Sequence, residues 1–171
     1  MKIELKKITF SERMSEETNA FVADLYVNGK KVGYVKNDGR GGCTEYNGYN
    51  VQDNETIKQA EAYCKSLPKV RVEEFDFEYE PTLESVIDEQ FENWLKEKEL
   101  KKMNKLFQKA IVVGKPNSLT YKYINFKQPL TNVSKTVLEK YVAKLLKDDC
   151  TNGEVILNTN FKYENEQVIF I

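Results

Sequence analysis

Histidine occurs nowhere in the 171 residues, which removes both the commonest neutral-pH general base and the commonest transition-metal ligand. Any catalysis would have to rest on carboxylates, lysine, tyrosine or cysteine, and neither a metal ion nor a cofactor is expected. Cysteine is scarce: Cys43, Cys64 and Cys150 are odd in number and irregularly spaced, which fits neither a disulfide framework nor a zinc site and points to a reducing cytoplasm. Long apolar runs are missing as well. No stretch approaches the roughly 20 residues needed to span a bilayer, and Met1-Lys2-Ile3-Glu4-Leu5-Lys6-Lys7 lacks the apolar core of a signal peptide. A soluble cytoplasmic protein with no membrane partner is the expectation. Internal repeats, low-complexity tracts and Gly/Ser/Pro linkers are absent too, so no clean domain boundary can be drawn.

A surplus of either charge is also lacking. With 26 basic and 27 acidic residues the formal charge is −1, which argues against general nucleic-acid binding. The balance hides a segregation. Between Val72 and Leu95 there are nine acids and no Lys or Arg, whereas Lys96 to Lys109 carries six lysines against Glu97 and Glu99.

What the chain does contain is enough apolar material for a core, 40% hydrophobic against 31% charged. Ile3, Leu5, Ile8 and Phe10 alternate as in a strand, and polar Ser11 to Asn19 reads as a loop. Phe21 to Val27 alternates again, and Val32 to Val35 continues after Asn28-Gly29. Asn-Gly between two such runs signals a hairpin, because a type I′ turn needs positive φ at both central residues. The first 36 residues thus predict a three-stranded antiparallel sheet, with Asn47 to Asn50 irregular beyond it.

Asp53 or Asn54 can cap a helix whose stripe is Ile57, Ala60, Cys64 and Leu67, with Pro68 as its stop. Glu73-Glu74-Phe75-Asp76-Phe77-Glu78-Tyr79-Glu80 alternates acid with aromatic, either as a charged edge strand or as an acidic recognition strip. Pro81 suits a first helical turn, and Leu83, Val86, Ile87, Phe91, Trp94 and Leu95 recur at helical spacing through Ala110. That is one long helix of about 25 residues or two joined near Glu97 to Glu99. Acids early and lysines late match its macrodipole. Beyond it come a β-branched strand at Ala110 to Gly114, an aromatic strand from Leu119 to Phe126 and a helix from about Asn132. Thr151-Asn152-Gly153 ends that helix, and strands at Glu154 to Leu157, Phe161 to Tyr163 and Gln167 to Ile171 close the chain. The expected architecture is α+β: an N-terminal antiparallel sheet with helices, a long central helix, and mixed C-terminal strands and helix. It forms one domain over 1–171, or two lobes at about 1–80 and 81–171.

The stretch that looks built for something other than packing is Asn37-Asp38-Gly39-Arg40-Gly41-Gly42-Cys43-Thr44-Glu45-Tyr46, where three of eight glycines meet a lone arginine. Glycine takes positive φ without a Cβ clash, so successive N–H groups can curl toward one point and hold an anion. Arg40 adds a planar charged fork and Lys36 a second cation. Phosphate-site sequences of the Walker and dinucleotide-binding kinds do not fit, because the Gly-Lys-Ser/Thr ending is missing and the preceding strands form an antiparallel hairpin. Cys43 beside Arg40 lacks the histidine that a cysteine nucleophile usually works with. Asp88 and Glu92, one helical turn apart, read as surface carboxylates. Tyr26, Tyr34, Tyr46 and Tyr49 lie near the loop in sequence and suit stacking on a nucleobase, or simply half-buried strand positions.

The segments Phe10-Ser11-Glu12-Arg13-Met14-Ser15-Glu16-Glu17-Thr18, Gly33-Tyr34-Val35-Lys36-Asn37-Asp38-Gly39-Arg40-Gly41-Gly42 and Gly153-Glu154-Val155-Ile156-Leu157-Asn158 resemble small uncharacterised proteins of bacteriophages and Bacteroidetes-type genomes. The resemblance spans most of the chain and carries no activity. It implies a cytoplasmic accessory or counter-defence factor acting inside a bacterial host cell. The leading expectation is a non-enzymatic protein that holds an anionic small molecule such as a nucleotide. Its site would comprise Arg13, Lys36, Asn37, Asp38, Gly39, Arg40, Gly41, Gly42, Cys43, Thr44 and Tyr46. The alternative is an interaction module that docks on a host or virion protein through the acidic strip 73–80 or the long amphipathic helix.

Overall fold

The computed structural model describes residues 1–72, 76–116, 118, 120–150 and 152–171. Alternating side chains lay down its first sheet: β1 (Ile3–Phe10), β2 (Phe21–Val27), β3 (Lys30–Asn37) and β4 (Glu45–Gly48), antiparallel in the order β1-β2-β3-β4. The turn between β2 and β3 has φ of 50° at Asn28 and 81° at Gly29, the left-handed pair that a type I′ turn requires. β4 extends the expected three strands to four. It pairs Val35 with Tyr46 and Gly33 with Gly48, and a Cβ at Gly33 would collide with the Asn47 carbonyl. So short and polar a strand has no periodicity of its own, and the close approach at Gly33 is what admits it.

One face of this sheet, with Ala23, Leu25, Val27 and Val35, is buried against α1 (Val51–Lys65) and the first half of α2 (Leu83–Phe107), through Ile57, Ala60, Cys64, Leu83, Ile87 and Phe91. α1 starts earlier than expected. Its cap is Asn50, whose side chain accepts from the Asp53 N–H at 2.9 Å, while Asp53 itself is buried in an ion pair with Lys30 at 3.0 Å. Helix α2 is one unbroken element of 25 residues. Thr82 and Ser85 exchange side-chain-to-backbone bonds at 2.9 and 3.1 Å ahead of it, a reciprocal cap that leaves Pro81 just outside the helix.

Both outer edges of the sheet are covered by side-chain amides. Gln90 on α2 accepts from the Leu5 N–H and donates to the Ile3 carbonyl, each at 3.0 Å, and Asn54 on α1 accepts from the Gly48 N–H at 3.0 Å. Exposed edges invite pairing with other chains, and these amides occupy three of the edge backbone groups, at Ile3, Leu5 and Gly48. A small hairpin, β5 (Val70–Val72) with β6 (Phe77–Tyr79), holds what can be described of the acidic strip; Glu73, Glu74 and Phe75 lie outside the described residues.

The chain divides into two compact units, Met1–Lys96 and Glu97–Ile171, and the division falls within α2. In the second unit α2 stops at Phe107 and Ala110 opens a strand. That strand, β7 (Ala110–Gly114), lies between β8 (Tyr121–Asn125) and β9 (Val155–Ile156). Leu119 and Thr151, assigned from sequence to a strand and a helix stop, lie outside the described residues. All five residues of β7 are buried, because both its faces are covered. Ile111 and Val113 pack with Leu138, Val142 and Leu145 of α3 (Lys135–Asp148), and Ala110 and Val112 pack with Phe107. A strand with two dry faces reads as a continuous apolar run. The hairpin β10 (Phe161–Glu164) and β11 (Gln167–Phe170) completes the unit, turning at Asn165 and Glu166 with φ of 49° and 62°. Among the described residues no helix is long and apolar enough to cross a membrane. The architecture is α+β, with all its sheets antiparallel.

Candidate functional site

Glycine does bend the loop after β3 as its sequence demands, with φ of 84° at Gly39 and 83° at Gly41. The direction in which the amides then face is set by other residues. Asn37 accepts from the Gly39 N–H at 2.9 Å, Asp38 from the Arg40 N–H at 3.2 Å, Thr18 from the Gly41 N–H at 3.2 Å, and Glu84 on α2 from the Thr44 N–H at 2.9 Å. Three of the amides from Gly39 to Cys43 expected to converge on a ligand, those of Gly39, Arg40 and Gly41, are thus bonded within the protein, as is the Thr44 amide that follows them. A nest of successive amides does exist one loop away. The N–H groups of Glu16, Glu17 and Thr18 all point at the Gly39 carbonyl, at 2.9, 2.9 and 3.2 Å. The anion-like group that such a concavity favours is here a backbone oxygen.

The remaining expected site residues disperse. Arg13 is exposed on a 3-10 turn, Glu12–Met14, and Arg40, Gly41, Gly42 and Cys43 are exposed on the loop. Lys36 lies opposite Glu45 on the uncovered face of the sheet, where Tyr26, Tyr34 and Tyr49 also lie. Tyr46 turns the other way, packs on the core and donates to Glu61 at 2.8 Å. Burial and the Glu61 carboxylate push its hydroxyl well above the ordinary tyrosine range.

Asn37, Gly42 and Thr44 are brought together, and with residues that the sequence reading left outside the expected site. They line a cleft of about 220 Å³ with Thr18, Asn19, Phe21, Phe91 and three acids of α2, Glu84, Asp88 and Glu92. The acids recur every four residues, so one helix face presents them all. Phe21 and Phe91 are stacked in the lining, with ring centroids 3.9 Å apart and planes 11° from parallel. Thr44 is the buried joint between loop and helix. Its N–H donates to Glu84, its hydroxyl donates to Asp88 at 2.6 Å, and it accepts from Asn37 at 3.1 Å.

Asp88 is therefore no plain surface carboxylate, contrary to its sequence reading. Burial raises its pKa above the ordinary aspartate value, the neighbouring Glu84 and Glu92 act the same way, and the Thr44 hydroxyl opposes them. Among the described residues no lysine or arginine lines the cleft. Among the described residues no group of three or more Cys, Asp or Glu side chains is placed to hold a metal ion. The three acids line a wall without converging on a point, and such a field favours an extended cation over an anion.

Gly39 provides a direct test of how the loop is held. At φ of 84° an alanine is strained, and its Cβ would run into the Met14 carbonyl and come within 2.9 Å of the Ala20 Cβ. Gly39→Ala is expected to cost about 2–3 kcal/mol, read as a lowered urea midpoint. Gly42→Ala meets nothing within 4 Å and is expected to change stability by less than about 0.5 kcal/mol. Equal effects at the two positions would show that the loop is not fastened at Gly39.

The chain matches no family model, no curated protein and no solved structure.

Proposed function

We propose that the protein is a non-enzymatic binding module and that the cleft between the glycine loop and α2 receives a basic side chain, lysine or arginine, from a partner protein. The observation that carries this is the lining: three carboxylates on one helix face beside two stacked aromatic rings, and no cation among the described residues. An ammonium or guanidinium entering there meets an Asp88 whose charge is disfavoured by burial and by its acidic neighbours. Of the loop glycines, Gly42 then forms part of one rim of the cleft, and the sign of the ligand is the reverse of the one expected from the loop alone. A bacteriophage accessory or counter-defence factor, the setting that the sequence resemblance implies, is compatible with a module of this kind.

Calorimetric titration with hexa-arginine and hexa-lysine peptides at low salt tests the reading. Saturable binding is expected, weakened about tenfold by Asp88→Asn and more by Asp88→Asn with Glu92→Gln. The amide introduced by Asp88→Asn can still accept from the Thr44 hydroxyl, so the fold should be unchanged or slightly more stable. Because the bound cation favours ionised Asp88 and protons compete with it, affinity should fall as pH drops through the raised Asp88 pKa, and this dependence should flatten in Asp88→Asn. Peptide binding indifferent to both variants would sink the cleft. Nucleotide binding lost in Arg40→Ala would restore the anion reading.

The alternative docking surface keeps one specific support. On the β5–β6 hairpin Phe77 is 58% exposed and stacked on Tyr79 at 6.4 Å, with Glu78 exposed between them. Loss of peptide binding in Glu78→Gln with Glu80→Gln, and not in the Asp88 variants, would transfer the site there.

A further inference from the structure

The formal charge of the chain divides with its compact units. Met1–Lys96 holds 13 basic and 19 acidic residues, a formal −6, whereas Glu97–Ile171 holds 13 lysines and eight acids, a formal +5. The near-neutral total therefore does not describe the local field, since exposed charges are screened beyond a Debye length of about 10 Å at 0.1 M salt. From the second unit we infer that the solvent face of α3 binds single-stranded nucleic acid.

α3 buries Leu138, Val142 and Leu145 and exposes Lys135, Lys140, Lys144 and Lys147. Lys140, Lys144 and Lys147 follow one another at about one per helical turn, so they form a single row. No opposing carboxylate neutralises that row. Among the described residues none of the four lysines is in an ion pair, whereas Lys96 and Lys101 on α2 pair with Glu92 and Glu97, and Lys122 with Asp149 and Glu154. Of the two acids within α3, Glu139 is turned toward β11, where it accepts from the Val168 N–H at 3.3 Å, and Asp148 is the last residue of the helix. A row of unpaired lysines matches the regular charge of a phosphate backbone.

A second feature selects the form of nucleic acid. Tyr141 lies next to this row, 39% exposed, with its ring set edge-on against Phe126 at 5.5 Å and 89°. The contact holds the ring in place and leaves part of it accessible, which is what stacking on an unpaired base requires. Duplexes hide their bases from such a ring. A lipid surface fits less well, because the apolar stripe that an interfacial helix would insert is already packed in the core.

The test uses the full chain and fluorescence anisotropy with labelled 20-nucleotide oligothymidylate and oligouridylate, between 25 and 200 mM salt. Binding is expected, with a log–log salt slope of about −2 to −3 for three to four phosphate contacts. Lys140→Gln with Lys144→Gln and Lys147→Gln should lower affinity at least about tenfold and flatten the slope by about two. Tyr141→Ala should weaken binding about tenfold with the slope kept, and Tyr141→Phe should retain it. Circular dichroism should show every variant folded, since these side chains face solvent. Absence of binding at 25 mM salt overturns the inference, as does a triple variant that binds like the parent. Duplex bound as tightly as single strands with Tyr141→Ala silent, or phosphatidylserine vesicles bound while both oligonucleotides are not, also overturns it.

Discussion

Replacing Asn158 by leucine should destabilise the Glu97–Ile171 unit by about 3–5 kcal/mol. Asn158 is buried, and its side chain supplies the bonds of a missing strand neighbour. Its oxygen accepts from the Val112 N–H at 2.8 Å. Its nitrogen donates to the Ala110 carbonyl at 2.9 Å and more weakly to the Phe107 carbonyl at 3.4 Å, which Asn160 also takes at 2.9 Å. The end of α2 and the start of β7 are thus tied to one amide. Leucine fills the space and orphans a buried N–H and a buried C=O, each costing about 1–3 kcal/mol.

Aspartate, of the same shape, should not rescue at neutral pH, because it offers a second acceptor where a donor is needed and brings a charge into the core. Such a carboxyl has its pKa raised by folding, so any rescue belongs to acid solution, where the protonated group can donate, and is lost as pH rises through that raised value. Urea unfolding and hydrogen exchange at Val112 measure both effects. A loss below about 1 kcal/mol in Asn158→Leu would mean that the amide is dispensable and that the strand is held by packing alone.

Phe91→Ala is the second large effect, in the first unit. Phe91 is buried on α2, stacked on Phe21 at 3.9 Å and tilted against Phe10 and Trp94, each at 5.9 Å. Truncating such a ring removes its transfer energy and leaves a cavity, together about 3–5 kcal/mol. Trp94 is the sole tryptophan and lies against the same ring, so its fluorescence reports the transition. With a urea slope of about 1–3 kcal/mol per molar the midpoint should fall by about 2 M. Phe91→Leu keeps most of the volume and should cost less than half as much. Equal losses in the two variants would show that volume is not what Phe91 supplies, and no loss in either would place the ring outside the core. Because Phe91 also lines the acidic cleft, Phe91→Leu is the variant with which to measure basic-peptide binding, where a modest loss is expected while the unit stays folded.

The two amide edge caps and the Asn158 bridge show where local reading ends. Asn28-Gly29 announces its turn because positive φ is a property of those two residues, and the Leu83–Ile87–Phe91 stripe announces α2 because its spacing is internal to one helix. β4 stayed hidden, since it exists through a backbone approach to Gly33 that its own four residues do not encode. The glycine loop was legible in its bend and illegible in its aim. Positive φ at Gly39 and Gly41 follows from composition, but the partners that turn the amides inward are Thr18 and Glu84, one loop and one helix away. Asp88 and Glu92 were recognisable as neighbours on a helix, yet the hydroxyl that bonds Asp88 belongs to Thr44, 44 positions earlier in the chain.

By itself the sequence determined the α+β class, the hairpin and the helices, and it exposed a charge segregation along the chain, because propensity, periodicity and net charge are carried by neighbours. Tertiary structure alone decided that the acids of α2 would wall a cleft and that the lysines of α3 would stand unpaired. Hydrogen bonds and ion pairs are satisfied between groups that meet in space, and a carboxylate or an amide has no direction until its partner has been brought to it.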